Sequence, residues 1–412
     1  MSPTRVQTSP PLGPALRALL AAQVLASTAA GLVLTTASVA AVALSGTEQV
    51  AGATQTAMVV GASALTVPLA RLSERFGRRA ALSLAYSCAA AGALVGAAAI
   101  GLGLWWLLVL GTVLIGGGTV AGLAARFAAA EFTPAPERTA TMIALVLWAS
   151  TVGSLVGPNL AAVTAGAASF VLPAVLYGAA AACVRIGLPT TTAALTRPVV
   201  VRANAVTVLR AHPRARAGVA ISVASHAVMI ALMALAPVHL HHAGQHGGGE
   251  HGTDEQTTVI VGIVLSGHLA AMYGFSPLFG LLVRRWGALR SGAAGLALTA
   301  VAAGILAVAA TSGPLLFGIG LALLGAAWSL GTVAGSTLVT LDLGPADRAA
   351  AQSATDLLLN VGGGAASIAA GLVVAATGYV VLAASATGLV LCCLAGLLLA
   401  VHVGARRREV MH

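Results

Sequence analysis

The sequence predicts an all-α integral membrane protein with twelve transmembrane helices in two six-helix bundles and with both termini in the cytoplasm. Hydrophobic residues make up 58% of the 412 positions and charged residues only 8%, whereas a soluble domain carries about 25% charged residues. Long apolar runs recur along the chain, and Arg residues cluster between them. These observations indicate that the lipid bilayer surrounds almost the whole protein.

The apolar runs define the predicted helices, because each is long enough to cross roughly 30 Å of hydrocarbon. They cover residues 18–44, 54–72, 80–101, 103–126, 139–164, 168–188, 217–237, 257–282, 286–310, 314–340, 350–376 and 379–403. Arg residues occur in the connections after the even-numbered helices, from the second to the tenth, and in none after the odd-numbered helices. The positive-inside rule then places both termini in the cytoplasm. The inner (plasma) membrane of the cell is the expected location.

The predicted helices divide into two halves of six. The connection over residues 189–216, which contains Pro and several Arg residues, is the longest on the cytoplasmic side, and we interpret it as a linker. It separates an N-terminal bundle (18–188) from a C-terminal bundle (217–403). Short cytoplasmic tails are expected over residues 1–17 and 404–412.

Sequence motifs recur between the two halves at a nearly constant offset. Residues 72–77 follow the second helix, and the similar residues 282–287 follow the eighth helix, 210 positions later. The run Gly-Thr-Val-Ala-Gly occurs at 118–122 and again at 331–335. Two parallel repeats of six helices are the plan of one large class of secondary transporters, in which the substrate is bound between the halves near the membrane midplane.

The segment after helix 2, Ala-Arg-Leu-Ser-Glu-Arg-Phe-Gly-Arg-Arg at residues 70–79, resembles the loop 2–3 signature of the major facilitator superfamily. The segment departs from the signature at two positions: Ala70 stands where the signature has its first Gly, and Glu74 stands where it has Asp. The resemblance covers the whole chain, because the repeat, the number of helices and the charge asymmetry also agree. It implies that Glu74, Arg75, Arg78 and Arg79 form a cytoplasmic latch that opens and closes during transport. A solvated positive-inside loop is the alternative.

Two pairs of soft metal ligands lie on consecutive predicted helices. Met229 and Met233 are one turn apart on helix 7, and His268 and Met272 are one turn apart on helix 8. His226 lies on the same stripe of helix 7 as the Met pair. Three thioethers and one imidazole suit Cu(I) better than Mg²⁺ or Ca²⁺. In the alternative reading, Met fills gaps between helices and His forms interhelical hydrogen bonds.

Residues 229–287 resemble the CcoA-like transporters, a major facilitator family of copper importers. Besides the two pairs, the shared features are Ala236-Pro237, the Phe-Ser-Pro run at 275–277 and the Gly…Arg-Trp-Gly ending at 280–287. In that family the Met pair and the His–Met pair carry the copper. The resemblance therefore implies copper import, with the copper ion as transported substrate. No resident cofactor is expected.

A His-rich tract joins the two candidate ligand helices. Residues 238–256 are predicted to form a flexible, Gly-rich external loop with five His and three acidic residues. Such a loop can gather a divalent metal ion at the surface, and a hydrophilic loop without a metal role is the alternative. The five His residues are His239, His241, His242, His246 and His251.

Asp356 is the only acidic residue well inside a predicted span, and it lies on one polar stripe of helix 11 with Gln352 and Asn360. A carboxyl group in hydrocarbon is costly, so it should face a cavity or a partner, and it is a candidate for proton coupling. A structural hydrogen-bonding role is the alternative. Arg126, at the cytoplasmic end of helix 4, is a candidate counter-ion, although we expect its guanidinium to snorkel to the interface.

The sequence favours a transporter over other classes of protein. It contains no phosphate-binding Gly-Lys-Ser/Thr loop and no soluble catalytic apparatus, so we expect neither an enzyme nor direct ATP drive. The Arg residues follow the positive-inside pattern, which argues against a nucleic-acid-binding face. Copper import by alternating access is the favoured hypothesis, and proton-coupled efflux of small organic compounds or drugs is the alternative. The expected partners are a small ion or small molecule and, for the alternative, protons.

Overall fold

The computed structural model describes residues 13–132, 136–161, 163–190, 204–246, 254–341 and 343–409, and this part of the chain is helical throughout. The helices are α1 (Pro14–Ser45), α2 (Glu48–Leu102), α3 (Trp105–Glu131), α4 (Thr139–Ala161), α5 (Ala168–Gly187), α6 (Ala205–Ala211), α7 (Pro213–His246), α8 (Asp254–Gly274), α9 (Ser276–Trp286), α10 (Ala288–Ala309), α11 (Pro314–Thr340), α12 (Pro345–Thr377) and α13 (Tyr379–Glu409). A 3₁₀ turn over Pro136–Arg138 precedes α4.

The number of membrane-spanning helices differs from the prediction. Within the described residues, ten helices are long and apolar enough to span a membrane, or eleven if the pair α8 and α9, bent by 41°, is one span. The helix α2 has 55 residues, and Gly77 interrupts it with non-helical angles of φ 84° and ψ 168°. At 1.5 Å per residue α2 extends over about 80 Å, more than twice the hydrocarbon thickness. Dividing α2 at Gly77 gives twelve spans, and this count and the cytoplasmic termini remain predictions.

The backbone repeats the turn that ends the second predicted span in each half. Gly77 and Gly287 lie 210 residues apart, with φ angles of 84° and 83°. Gly103 and Gly313, also 210 residues apart, have φ angles of 71° and 113° and precede α3 and α11. Side chains with a Cβ disfavour this left-handed region. Glycine is therefore needed at equivalent positions of the two halves.

Two large apolar cores correspond to the two halves. The first core is built from residues between Leu16 and Leu188, on α1–α5. The second core is built mainly from residues between Ile221 and Val390, and it also includes residues of α3 and α4. A small third core joins α6 to α3, α7, α11 and α12. The division into two bundles at the linker over residues 189–216 remains a prediction.

Small residues let the helices of the first half approach closely. A Cβ at Gly61 on α2 would lie 1.9 Å from the carbonyl oxygen of Val113 on α3. A Cβ at Gly153 on α4 would lie 2.0 Å from Oγ of Ser27 on α1. Helix association in lipid depends on this close van der Waals packing, because lipid is as apolar as the helix surfaces. These glycines therefore define the spacing of the first bundle.

The two halves contact each other through several helix pairs. The helix α2 packs against α12, α4 packs against α8 and α9, and α3 contacts α11 and α12. We use the term Arg-rich end for the end of the bundle at which the turns at Gly77 and Gly287 lie. The sequence pattern predicts that this end faces the cytoplasm. A Cβ at Gly280, near this end of α9, would lie 2.8 Å from Cβ of Ala144 on α4.

Candidate functional site

A buried ion pair joins the two halves of the protein. The Nη2 group of Arg126 on α3 donates a hydrogen bond to Oδ1 of Asp356 on α12 at 2.9 Å. The Nε group of Arg126 donates to Oγ of Ser336 on α11, also at 2.9 Å. The Arg126 side chain has no solvent exposure and the Asp356 side chain is 8% exposed. Charges removed from water need this kind of close, hydrogen-bonded partner.

The position of Arg126 corrects the expectation that its guanidinium snorkels to the membrane interface. The guanidinium carbon lies 4.5 Å from the centre of the Phe127 ring, which covers one face of the charge. Asp356 supplies the opposite charge from the other half of the chain. Helical spacing gives no sign of this contact, because the partners are 230 residues apart in sequence.

The polar stripe of α12 faces the first half, and its three members are buried. The Nδ2 group of Asn360 donates to the backbone oxygen of Asp356 at 2.9 Å and to Oγ1 of Thr66 on α2 at 3.4 Å. The Oε1 atom of Gln352 accepts a hydrogen bond from Nη2 of Arg78. The stripe therefore forms a seam between the halves, and its role in proton coupling remains a prediction.

Arg78 is the residue of the loop 2–3 motif that connects the halves. Its Nη2 and Nε groups bind the carboxylate of Glu131, at the end of α3, with distances of 2.7 Å to Oε1 and 3.1 Å to Oε2. It also donates to Gln352 across the interface. Glu74 and Arg75 are exposed, and among the described residues Arg78 forms its ion pair with Glu131 and not with Glu74.

The other two basic members of the predicted latch make different contacts. The guanidinium of Arg75 lies over the Phe76 ring at 5.1 Å from its centre. Arg79 is half-buried. Neither has an ion pair among the described salt bridges. The opening and closing of the latch remains a prediction, with Arg78 as its central residue.

A small cavity lies beside Asp356, between α2, α3 and α12, and most of its lining is apolar. Its volume is about 30 Å³, and its polar lining consists of Thr66, Ser73, Arg78, Ser353 and Asp356. A cavity of this size with several polar groups can hold one or two water molecules. The Asp356 carboxyl group therefore lies between a fixed cation and a space that water can enter.

The candidate copper ligands on α7 and α8 lie in or against the second apolar core. Met229 and Met272 are buried core residues, and Met233 packs against the same core. His268 is fully buried. Its Nδ1 atom lies 2.6 Å from the carbonyl oxygen of Leu321 on α11. A carbonyl accepts only, so this contact assigns the proton to Nδ1 and the lone pair to Nε2.

His226 has the opposite arrangement of its ring nitrogens. Its Nδ1 atom accepts a hydrogen bond from Nε1 of Trp328 at 3.0 Å. Trp328 in turn meets the Tyr273 ring edge-on, with ring centres 5.8 Å apart. In the neutral imidazole the proton is then on Nε2, so neither ring nitrogen of His226 offers a free lone pair to a metal ion. Sequence spacing did not indicate this aromatic group.

The predicted external loop over 238–256 is shorter than expected. The helix α7 continues to His246, and α8 begins at Asp254. The His239 ring stacks on Phe317 at 5.1 Å and on Tyr379 at 4.8 Å between ring centres. His239 is therefore part of the packing of the second half and not of a flexible loop.

The remaining His residues of this tract are described only in part. His241, His242 and His246 belong to the helical backbone of α7, and His251 lies outside the described residues. Within the part of the chain that the structure describes, no group of three or more His, Cys, Asp or Glu side chains could hold a metal ion. A metal-capture role for this tract remains a prediction.

Comparison with known proteins assigns the family. Residues 19–250, more than half of the chain, match the family model of the Major Facilitator Superfamily. The protein belongs to this superfamily. It is therefore a multi-pass membrane protein of a transporter family, and the superfamily resemblance of the loop 2–3 motif is confirmed. The closer resemblance to the CcoA-like copper importers remains a prediction.

Known relatives agree with this assignment over nearly the whole chain. The uncharacterized MFS-type transporter YddS of Bacillus subtilis (strain 168) is 29% identical over 397 residues, which cover 90% of this chain and 87% of the relative. The human organic anion transporter MFSD10 (TETRAN) has a TM-score of 0.73 and 14% identity, and the match covers 93% of this chain and 99% of that chain.

A bacterial homologue of the iron transporter ferroportin, in the outward-facing state with soaked iron, has a TM-score of 0.71 and 16% identity, with coverage of 93% of this chain and 98% of that chain. At such low identity the two solved structures show the shared fold alone.

The ion pair predicts a non-additive effect of mutations. Arg126→Gln leaves the Asp356 carboxylate buried without its cation, and Asp356→Asn leaves the guanidinium buried without its anion. We expect each single variant to lose about 3 kcal/mol of stability, and the double variant to lose clearly less than the two losses combined. Urea unfolding of the purified protein in detergent, followed by Trp fluorescence, measures these differences.

Ser336→Ala is the matched control, because it removes only a neutral acceptor of Arg126. We expect it to cost about 1 kcal/mol. Strictly additive losses in the double variant would mean that Arg126 and Asp356 do not interact.

The contact of Arg78 with Gln352 predicts an effect on access to the Arg-rich end. In a chain whose four Cys residues are replaced by Ser, a Ser353→Cys substitution places a thiol in the cavity beside Asp356. We expect Arg78→Gln to raise the rate of maleimide labelling of this thiol about fivefold, which corresponds to the loss of about 1 kcal/mol for the one hydrogen bond that Arg78 makes across the interface. Its bonds to Glu131 are also lost, but they lie within the first half.

Arg71→Gln removes the same charge from an exposed position of α2, seven residues before Arg78, and it should leave the labelling rate unchanged. If both variants raised the rate equally, surface charge and not the contact with Gln352 would be responsible.

Proposed function

We propose that the protein is a proton-coupled antiporter that exports small organic compounds by alternating access, with Asp356 as the proton carrier. The buried pair of Arg126 and Asp356 carries this proposal, because it is an ionisable contact between the two halves. Arg stays charged in proteins, whereas a carboxyl group can take up a proton. Carboxyl groups inside membrane helices commonly mark proton pathways.

The pair couples the charge of Asp356 to the closure of the Arg-rich end. In its charged form the carboxylate binds Arg126, and this contact acts together with the hydrogen bond between Arg78 and Gln352. A proton on the carboxyl removes the Coulomb attraction and weakens the charge-assisted hydrogen bond. The neutral form then favours separation of α12 from α3. The adjacent cavity gives water a place beside the carboxyl group.

This coupling leads to exchange of protons against cargo. With the Arg-rich end in the cytoplasm, a proton taken up from outside neutralises Asp356 and opens the inner face, where the proton is released. The charged carboxylate then binds Arg126 again and closes the inner face around the cargo. The cargo becomes accessible from outside, so protons and cargo move in opposite directions.

Aromatic side chains favour an organic cargo. Trp328, Tyr273 and His226 form a connected group on α11, α8 and α7, all in the second half. Trp328 is a buried residue of the second core, and the group lines neither described cavity. We propose that it lines the cargo site in the open state, because apolar rings with a few directed polar groups are typical of sites for small organic ligands. The two solved relatives are named for organic anions and for iron, so the fold does not select the cargo and this choice depends on the side chains.

Transport measurements test the role of Asp356. In proteoliposomes with an imposed proton gradient, ethidium serves as the organic probe and an internal pH dye reports proton movement. We expect the wild-type protein to couple ethidium movement to proton movement in the opposite direction, and Asp356→Asn to reduce both to about a tenth or less. The reason is that Asn cannot carry a proton.

Asp347→Asn is the control, because this acid lies on the same helix with a side chain that is 40% exposed. It should leave coupled transport intact. Gradient-driven ethidium transport that persists in Asp356→Asn would contradict the proposal.

Import of copper is a second candidate, and one observation favours it. His268 directs Nδ1 to a backbone carbonyl, and its buried Nε2 has no hydrogen-bond partner among the described residues. Metal-binding His residues commonly donate their second ring nitrogen to a carbonyl or carboxylate in this way. Met272 lies one turn away on α8, in the same core as Met229. Cu(I) would then be the substrate for which these soft donors are suited.

Accumulation of radiolabelled copper in expressing cells tests the second candidate. We expect a variant in which Met229, Met233 and Met272 are all replaced by Leu to fall to background, because Leu keeps the volume and removes the sulfur. In the control variant, Met58 and Met142, which pack against the first core, are replaced by Leu. Cells that express this variant should accumulate copper normally. Equal accumulation by the triple variant and the wild-type protein would exclude copper ligation by these residues.

A further inference from the structure

A groove at the Arg-rich end lies between the two halves, and Asp356 is not among the residues that line it. Its volume is about 700 Å³. The start of α4 lines one wall, and α9 with the adjacent ends of α7, α10 and α11 lines the other. Three cations and one acid face this space, namely Arg214, Arg284, Arg285 and Glu137. The groove therefore combines an excess of positive charge with walls from opposite halves.

The wall formed by α9 is apolar beyond its two Arg residues. Leu278 and Leu281 line the groove and are 58% and 49% exposed. Leu278 lies seven residues before Arg285, a distance of about 10 Å along the helix. Trp286, 53% exposed, directly follows the Arg pair, and Trp is enriched at the level of lipid headgroups. The charged end of the groove thus lies at headgroup depth, and its Leu wall extends toward the hydrocarbon.

We propose that this groove binds one anionic phospholipid, with its phosphate against Arg284 and Arg285 and an acyl chain along Leu278 and Leu281. The planar guanidinium groups match phosphate oxygens in a two-pronged geometry. Basic pockets between membrane helices are suited to anionic headgroups. A free phosphate ion would leave the Leu wall uncovered, and a zwitterionic lipid would bring its own cation close to the Arg pair.

The bound lipid would stabilise the state in which the Arg-rich end is closed. The two walls of the groove come from α4 and α9, which are in contact where Gly280 meets Ala144. Separation of the halves at this end would move the walls apart and remove the site. This inference does not depend on the cargo or on the proton role of Asp356.

The full-length protein in nanodiscs of defined composition tests the proposal. Addition of phosphatidylglycerol to phosphatidylcholine discs should raise the thermal unfolding midpoint by about 2 °C or more in the wild-type protein. The double substitution Arg284→Gln and Arg285→Gln should remove most of this rise. The control Arg290→Gln removes an exposed Arg at the same end that does not line the groove, and it should keep the rise.

Two further arms separate the alternatives. Inorganic phosphate added to pure phosphatidylcholine discs should have no effect, and stabilisation equal to that by phosphatidylglycerol would overturn the proposal in favour of a phosphate-ion site. Native mass spectrometry should find phosphatidylglycerol retained on the wild-type protein and lost when Leu278 and Leu281 are replaced by Gln. The Leu278 and Leu281 variant keeps Arg284 and Arg285. It therefore serves as the test if the variant with Gln at positions 284 and 285 does not fold. Equal retention by the wild-type protein and these variants would also overturn the proposal.

Discussion

The contact between Arg126 and Asp356 is the interaction on which the arrangement of the two halves depends. Each half has a large apolar core of its own, and residues of α3 and α4 also pack into apolar clusters of the second half. The polar seam between them is different, because a guanidinium and a carboxylate in a membrane interior are stable only while they are paired. A change in the charge of Asp356 therefore acts directly on the contact between the halves.

Other contacts at the Arg-rich end extend this seam. Arg78 binds Glu131 within the first half and Gln352 in the second half, and it lines a small cavity together with Asp356. At the same end, the basic groove lies between α4 and α9. The buried ion pair, the hydrogen bond between Arg78 and Gln352 and the basic groove all join residues of opposite halves, so a rocking motion of two rigid bundles would change all three together.

The fold was largely predictable from the sequence, and the site was predictable only in part. Long apolar runs and the repeated turns at Gly77 and Gly287 are local patterns, and they indicated the helices and the halves. Asp356 was found because an acid inside an apolar run is rare. Arg126 was named as a candidate counter-ion, but its guanidinium was expected at the membrane interface, because the contact joins residues 230 positions apart in sequence. Glu131 ends an apolar helix and gave no signal until Arg78 was seen beside it.

The most direct test of the account measures the distance across the Arg-rich end as a function of pH. Spin labels at Arg138→Cys and Arg290→Cys, exposed positions of opposite halves, report this distance by pulsed electron resonance in a chain without other Cys residues. The account predicts a short distance at alkaline pH that lengthens on acidification, and a long distance at every pH in Asp356→Asn. A pH-dependent change that is unaltered in Asp356→Asn would contradict it.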